Sequence, residues 1–228
     1  MPDLNFAIEK AEPVEFAAAP MLHFALRITN AEQGEVHAVA LRCQIRIEPG
    51  RRSYEAPEKE RLLDLFGAPS RWGQTLKPML WTHTGIMVPP FTGSTLVDLP
   101  VPCTYDFNIA AARFFYALEN GEAPLNFLFS GTIFYAPPEG ADVQGMQVTQ
   151  ISWEKEAAFR LPVSVWKRMM DMYYPNSAWL CLPRDSFDRL ARYKSEHMLP
   201  TWEAAIESLL SGGAARLSGP RQVTEVQT

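Results

Sequence analysis

The sequence has few of the residues and motifs from which reactive or metal-binding sites are usually built. Its 228 residues include three cysteines, which are far apart and form no C-x-x-C pair: Cys43, Cys103 and Cys181. This usage indicates neither a disulfide framework nor a thiolate metal site, and it is typical of a reducing compartment. The sequence also contains no nucleophile motif and no phosphate-binding loop. We therefore expect no cofactor and no catalytic or metal-ligating residues.

An excess of basic charge and a long apolar segment are missing as well. The chain has 21 basic and 26 acidic residues, which give a formal net charge of -5. That balance supplies no overall attraction to phosphate backbones or anionic lipids, so nucleic acid is not an expected partner. No apolar run reaches the ~20 residues that span a bilayer, and Met1–Phe6 lacks the basic start of a signal peptide. We expect a soluble, cytoplasmic protein without a membrane partner.

Apolar residues instead follow the two-residue period of half-buried β-strands. Residues 22–28 and 39–47 both alternate in this way, with a turn between them. We predict that they form a hairpin, because one register points both apolar rows into the core. That register pairs Phe24 with Leu41 and Leu26 with Val39.

Further strands are predicted in the centre of the chain. Residues 125–135 are rich in β-branched and aromatic side chains, which favours a central strand, and Gly131 within it permits a bulge or a close backbone approach. An antiparallel partner is predicted where one face carries Ile151, Trp153, Ala157 and Phe159. Residues 99–107 alternate too, but Pro100 and Pro102 lack the amide donors that a central strand needs. We therefore place that strand at a sheet edge.

A buried helix is predicted over residues 108–118. Its single charge is Arg113, so nearly all of its surface must face the protein interior, and Asp106 or Asn108 is the expected cap. Gly121 is expected at the left-handed C′ position that ends this helix, because glycine adopts positive φ without steric strain.

The chain becomes helical after Leu161. Apolar residues recur at helical spacing up to Pro175, and Asp185 and Thr201 are the expected caps of two further helices. The Gly-rich, polar residues 211–228 are predicted to be a disordered tail.

These patterns predict an α+β fold. An antiparallel β-sandwich or bent sheet over about residues 4–160 is covered by the C-terminal helices. We expect residues 1–210 to form a single globular domain.

Residues capable of catalysis are present, but not in patterns typical of a site. His23 lies on the polar face of the predicted hairpin and His37 on the inward face, so they cannot share a metal. His83 and His197 are isolated from other ligand residues. Ser130 lacks the G-x-S-x-G elbow of a serine nucleophile, and a strand bulge at Ser130-Gly131 accounts for it.

The carboxylates also form no pattern that is typical of acid–base catalysis. Asp106, Glu154 and Glu156 could supply a pair, but Glu154 and Glu156 share one strand face, where alternation already predicts solvated charges.

A basic patch is the clearest surface feature. Arginines on the outer face of the predicted hairpin, and directly after it, form this patch on an otherwise acidic chain: Arg27, Arg42, Arg46, Arg51 and Arg52. We interpret it as a binding surface for an acidic protein partner; a solvated sheet face is the alternative. The tryptophans, which include Trp72, Trp81, Trp166 and Trp202, are open to the same two interpretations: most are expected in the core, and any left exposed would mark an interface.

Four segments together resemble an uncharacterised bacterial family of unknown function. They are residues 60–72 (ERLLDLFGAPSRW), 101–107 (VPCTYDF), 124–135 (PLNFLFSGTIFY) and 166–175 (WKRMMDMYYP). The resemblance covers roughly Val14 to Leu210. Because that family is associated with gene clusters for uptake nickel–iron hydrogenases, it implies an accessory role without supplying catalytic residues.

Three hypotheses about function remain. The first is a non-catalytic accessory or scaffold protein that binds another protein; self-association into a homo-oligomer is left open. The second is a hydrolase-like enzyme whose site forms only in the fold, around Tyr105, Asp106 and His83. The third is a chaperone that holds unfolded clients on an apolar groove.

Overall fold

The computed structural model describes residues 1–32, 34–106, 109–137 and 145–217, with side chains up to residue 212. The chain divides into two compact units, with the boundary in the sequence between Leu180 and Cys181. The described residues of the first unit contain all of the strands and five helices, and those of the second contain two helices.

The strands of the first unit are β1 (Leu4–Pro13), β2 (Met21–Asn30), β3 (Glu35–Ile47), β4 (Met79–Val88), β5 (Phe91–Thr92), β6 (Ser94–Pro102), β7 (Glu122–Tyr135), β8 (Gln147–Gln150) and β9 (Glu156–Pro162). Its helices are α1 (Ala56–Arg61), α2 (Leu63–Phe66), α3 (Trp72–Thr75), α4 (Ala110–Ala117) and α5 (Val163–Tyr173), with 3-10 turns at Pro49–Arg51 and Pro69–Arg71. The second unit contains α6 (Arg184–Glu196) and α7 (Trp202–Leu217).

Two antiparallel sheets form the first unit. Within the described residues, one sheet has the order β1-β2-β6, and the other has the order β4-β3-β7-β8, with β5 paired to β3 and β9 paired to β7. Helix α5 packs on β1, β2 and β9. The α+β class and the antiparallel sheets predicted from the sequence are confirmed.

Alternation correctly predicted which residues of β2 and β3 face the core. The apolar rows of both strands are almost fully buried: Leu22, Phe24, Leu26 and Ile28 in β2, and Val39, Leu41, Cys43, Ile45 and Ile47 in β3. The predicted hairpin is nevertheless wrong, because the two strands belong to different sheets.

Each strand of the predicted hairpin has other partners. Phe24 lies opposite Ala11 of β1 and Leu99 of β6, not opposite Leu41. Likewise, the predicted pair of Leu26 and Val39 does not form. Alternation fixes the face that a strand buries, but each face is compatible with several neighbours. The short turn after β2 thus carries the chain from one sheet to the other.

Strand β6 lies at a sheet edge, as its prolines predicted. Within the described chain its ladder partner is β2 alone. Thr84 of β4, an edge strand of the other sheet, donates a hydrogen bond from Oγ1 to the carbonyl of Pro100 at 2.6 Å. This bond links the two sheets along one side.

The central position of β7 is confirmed, and so is the close backbone approach at Gly131. Its φ is +141°, and a Cβ atom there would lie 2.1 Å from the carbonyl oxygen of Ala40 on β3. Only glycine fits this geometry without a shift of the backbone.

The predicted buried helix is present as α4, but its ends differ from the prediction. Ile109 is the N-cap, in place of Asp106, and Asn108 lies outside the described residues. The helix ends at Ala117, and Leu118 is already extended. Gly121 has the predicted positive φ, +76°, but it belongs to the turn before β7 and not to a C′ position.

Two predicted core positions are wrong because the ladder is irregular near them. Trp153 is 89% exposed in the turn between β8 and β9, whereas Ile151 and Ala157 are buried. His37 is half-exposed at a register shift between Val36 and Ala38, which interrupts the alternation on β3.

The helices after Leu161 largely follow the prediction. Thr201 caps α7, since its Oγ1 accepts the backbone N–H of Ala204 at 3.1 Å. The N-cap of α6 is Pro183, so Asp185 lies in the first turn instead of at the cap. Helix α7 continues through Leu217, so the first residues of the predicted tail are helical; residues 218–228 lie outside the described residues.

Candidate functional site

The five arginines predicted to form one patch lie in three separate places. Arg27 is on β2 in the three-stranded sheet, while Arg42 and Arg46 are on β3 in the other sheet. Arg27 is also paired, with its Nε 2.5 Å from a carboxylate oxygen of Glu9. The single patch is therefore wrong, because it depended on the β2–β3 hairpin.

Arg52 is a structural residue and not a surface one. Its side chain is 10% exposed and donates to both carboxylate oxygens of Glu58, at 2.8 and 2.9 Å. Glu58 also accepts the backbone N–H groups of Glu55 and Glu119. The pair therefore fastens α1 to the turn after α4. Arg51, in contrast, is exposed and lies 3.7 Å from Glu48.

This buried ion pair was missed by the sequence analysis, although one local signal for it exists. Glu55 and Glu58 form a capping box at the start of α1, which holds Glu58 in place. Arg52 lies only six positions before Glu58, but the backbone N–H of Glu119, which the same carboxylate accepts, is 61 positions away, and no local pattern encodes that contact.

Arg42 and Arg46 remain as a basic pair on the outer face of β3. In the part of the chain that the structure describes, neither side chain has an ion-pair or hydrogen-bond partner. Arg42 lies between Gly85 on β4 and Ser130 on β7 in the ladder. Arg46 lies between Leu80 and Asn126 in the same way.

A groove of about 680 Å³ surrounds Arg42. We call it the Arg42 groove; it is lined by Arg42, Cys43, Gln44, His83, Thr84, Gly85 and Ser130. Gly85 lacks a side chain for a backbone reason, since a Cβ atom there would lie 2.8 Å from the carbonyl oxygen of Leu41. The groove therefore presents a guanidinium beside space that no larger side chain fills.

A second cleft, of about 340 Å³, lies between α4 and α5. We call it the Tyr105 cleft; it is lined by Arg61, Tyr105, Tyr116, Trp166, Lys167, Met170 and Asp171. Both of its basic side chains bind Glu119: Arg61 contacts the carboxylate at 2.7 Å and Lys167 the backbone carbonyl at 3.0 Å. Burial, followed by the proximity of Tyr116 and Asp171, raises the pKa of Tyr105.

The residues of the enzyme hypothesis do not share one of these clefts. His83 lines the Arg42 groove and Tyr105 lines the Tyr105 cleft. Ser130 is exposed on β7 beside Arg42, and Glu156 on β9 accepts a hydrogen bond from Asn126 at 2.9 Å. The structure thus places two of the three residues of that hypothesis, His83 and Tyr105, in different clefts.

The other histidines and the thiols also lie apart. His23 is 3.9 Å from Asp98 across the β2–β6 ladder, and the ring of His197 lies 4.1 Å from that of Tyr193 at the end of α6. Burial raises the pKa of both Cys43 and Cys103 to about 12, so these thiols stay protonated at neutral pH. Among the described residues, no three His, Cys, Asp or Glu side chains are grouped as a metal site would require.

Several large apolar residues are exposed on the two helices of the second unit. Its described side chains include one that is buried, Ala205. Large apolar side chains with more than a third of their surface exposed include Phe187, Trp202, Ile206, Leu209 and Leu210. Trp72 and Trp166 are buried as predicted, whereas Trp202 is 40% exposed.

Comparisons with known proteins give a family but no activity. No curated protein matches the chain. One solved structure that matches is the CARDB domain of a Pyrococcus furiosus protein in complex with di-metal ions. The match covers 71% of this chain and 92% of that chain, with 10% sequence identity and a TM-score of 0.27. No described helix has both the length and the apolar character to cross a membrane. Residues 1–217 match the family of unknown function DUF6084, and the chain belongs to that family.

Proposed function

We propose that the protein is a non-catalytic accessory or scaffold protein that binds an acidic segment of another protein through the Arg42 groove. One observation carries the proposal. Of the five arginines singled out in the sequence, Arg27, Arg51 and Arg52 each form an ion pair with a carboxylate, while Arg42 and Arg46 form none within the described residues. Two unpaired guanidinium groups in a row on one strand offer donors for carboxylates.

The surroundings of Arg42 support binding of an extended segment. Gly85 and Ser130 flank it with little side-chain bulk, so a partner's backbone has room to approach the guanidinium. Arg42 and Arg46 are four residues apart on β3, which places them about 13 Å apart along the strand. Carboxylates about four residues apart on an extended partner would match that spacing.

We further propose a partner encoded near uptake nickel–iron hydrogenase genes and a location in the bacterial cytoplasm. The support for this context is the family resemblance of the four sequence segments. The chain as a whole has an acidic net charge, so most of its surface repels acidic proteins. A localised basic surface would therefore be the place at which an acidic partner is selected.

The test is a charge reversal at the groove. We expect Arg42→Glu with Arg46→Glu to remove an acidic partner from a quantitative affinity capture in the native organism. We also expect the wild-type complex to weaken as salt is added, because exposed charges are screened. The matched control is Arg71→Glu with Lys77→Glu, which changes the net charge equally at exposed positions between α2 and β4.

Each result of this test has a distinct meaning. Loss of the same protein in the groove variant, and its retention in the control, supports the proposal. Equal capture by both variants makes the Arg42 groove an ordinary solvated face. A groove variant that unfolds would overturn the proposal, because Arg42 and Arg46 would then be required for folding.

A further inference from the structure

Aromatic rings and charges of both signs line the Tyr105 cleft, which has no part in the proposed function. The ring of Tyr105 lies 5.7 Å from that of Trp166 and 6.2 Å from that of Tyr116. Trp166 is 2% exposed and Tyr116 is 49% exposed, so the rings extend from the base of the cleft to its rim. Aromatic rings attract ammonium groups through cation–π interactions.

Two of these rings are held in place from behind. Tyr174 stacks on Tyr105 with ring centroids 6.0 Å apart, and Phe115 stacks on Trp166 with centroids 5.3 Å apart. A side chain that is already ordered loses little conformational entropy when a ligand binds. The aromatic side of the cleft is therefore prepared for a ligand.

The cleft also contains one cation and one anion that are not neutralised. Over residues 1–32, 34–106, 109–137 and 145–212, neither Lys167 nor Asp171 of α5 forms an ion pair. Lys167 donates to the backbone carbonyl of Glu119 at 3.0 Å, a bond that leaves its charge uncompensated. The other cation, Arg61, is neutralised by the carboxylate of Glu119 at 2.7 Å.

The carboxylate of Asp171 lies beside the aromatic rings. Burial, followed by the proximity of Tyr116 and Asp171, raises the pKa of Tyr105, so this negative charge is close to the Tyr105 phenol. Lys167 and Asp171 are four residues apart on one helix, which places their Cβ atoms about 5–6 Å from each other. Two opposite charges at that spacing match the two charges of one small zwitterion.

A neighbouring hollow shows why the rings matter. It has a volume of about 610 Å³ and shares Lys167 and Asp171 with the Tyr105 cleft. Its other described lining residues are all non-aromatic: Glu119, Asn120, Gly121, Ser164 and Arg168. The Tyr105 cleft is thus the side of this charge pair on which an ammonium group gains contacts with aromatic rings.

We infer that the Tyr105 cleft binds a small zwitterion, an ammonium carboxylate of the size of an amino acid or a betaine. The carboxylate of the ligand contacts Lys167, and its ammonium group lies between Asp171 and the ring of Tyr105. Because the Arg42 groove is not involved, this inference and the proposed function stand or fall separately.

Isothermal titration calorimetry of the full chain tests the inference with four probes. Glycine betaine and glycine are zwitterions, while tetramethylammonium and acetate each carry one of the two charges. We expect at least one zwitterion to bind with a Kd of about 1 mM or below, and about tenfold tighter than either single ion. The preference between glycine betaine and glycine then distinguishes a betaine from an amino acid as the source. Failure of both zwitterions to bind, or equal affinity for all four probes, would overturn the inference.

Two variants assign the charges separately. We expect Asp171→Asn to weaken the binding of the zwitterion about tenfold and to leave it no better than acetate. Likewise, Lys167→Gln should leave the zwitterion no better than tetramethylammonium. The matched controls are Glu15→Gln and Lys59→Gln, which remove the same charges at exposed positions outside the cleft and should not change the affinity.

The pattern over the probes separates ligand contact from structural damage. Loss of only the probes that carry the matching charge, with an unchanged thermal midpoint, supports the inference. Zwitterion binding that neither variant weakens, or equal weakening of all four probes by either variant, would contradict it.

Discussion

Gly131 must be glycine for two reasons, its backbone conformation and its close contact with a neighbouring strand. Its φ of +141° lies outside the region that other residues adopt readily, and its Cα faces the carbonyl of Ala40, 2.1 Å from where a Cβ atom would be. Gly34 has nearly the same φ, +138°, with no atom within 4 Å of such a Cβ. The two glycines therefore separate backbone strain from steric overlap.

We predict that Gly131→Ala lowers the free energy of unfolding by about 3 kcal/mol or more, because strain and overlap add together. Gly34→Ala should lower it by about 1 kcal/mol, from strain alone. Urea unfolding of both variants checks the difference. Equal losses would mean that β3 and β7 move apart easily at this point.

Arg52 and Glu58 show why single residues are hard to assign from sequence. A pair of arginines after a strand indicates a surface patch, yet Arg52 is bound to a carboxylate that is 2% exposed. Removing one member of such a pair leaves the other charge buried and unpaired, which is more damaging than losing an exposed ion pair.

We predict that Glu58→Gln lowers the free energy of unfolding by about 3 kcal/mol. The matched control is Glu119→Gln, since the Arg61–Glu119 pair is about 40% exposed and should contribute at most about 1 kcal/mol. Chemical unfolding at constant pH measures both. A small loss at Glu58 would indicate that water reaches Arg52 and replaces the carboxylate.

At the level of strands and helices, the sequence predicted which face of a strand is buried more reliably than which strands pair with each other. The alternating rows of β2 and β3 are buried as predicted, and Arg42 and Arg46 lie on the outer face for the same reason. Pairing depends on residues that are distant in sequence, such as Leu99 opposite Phe24, and alternation carries no information about them. The error in pairing also produced the error of a single arginine patch.

The turn that joins α4 to β7 gives a prediction at this level. Gly121 has φ +76°, and no atom lies within 4 Å of the place that a Cβ atom would occupy, so strain alone decides its tolerance. We expect Gly121→Val to lower the free energy of unfolding by about 1–2 kcal/mol, because β-branched residues are disfavoured at positive φ. Gly121→Asn should be tolerated better, since Asn adopts this conformation more readily. Thermal unfolding distinguishes them, and an equal effect would exclude backbone strain as the cause.

For the whole molecule, composition and pattern predicted the fold class but not the two compact units. Residues before Leu180 supply the strands and the large buried side chains, whereas the described residues after it bury Ala205 alone. Helical periodicity in α7 predicted an apolar face, but periodicity does not say what covers that face. A single domain over residues 1–210 stays a prediction.

A truncation distinguishes these descriptions. We predict that a chain ending at Leu180 unfolds cooperatively, with a urea midpoint close to that of the full chain, because its core residues are retained. The control ends at Pro162 and lacks α5, whose Trp166, Met169 and Met170 are buried; it should fail to fold. Tryptophan fluorescence follows both transitions, since Trp202 is the one tryptophan beyond Leu180. A large drop in midpoint for the Leu180 truncation would instead support one domain through residue 210, because α6 and α7 would then contribute to the same cooperative core.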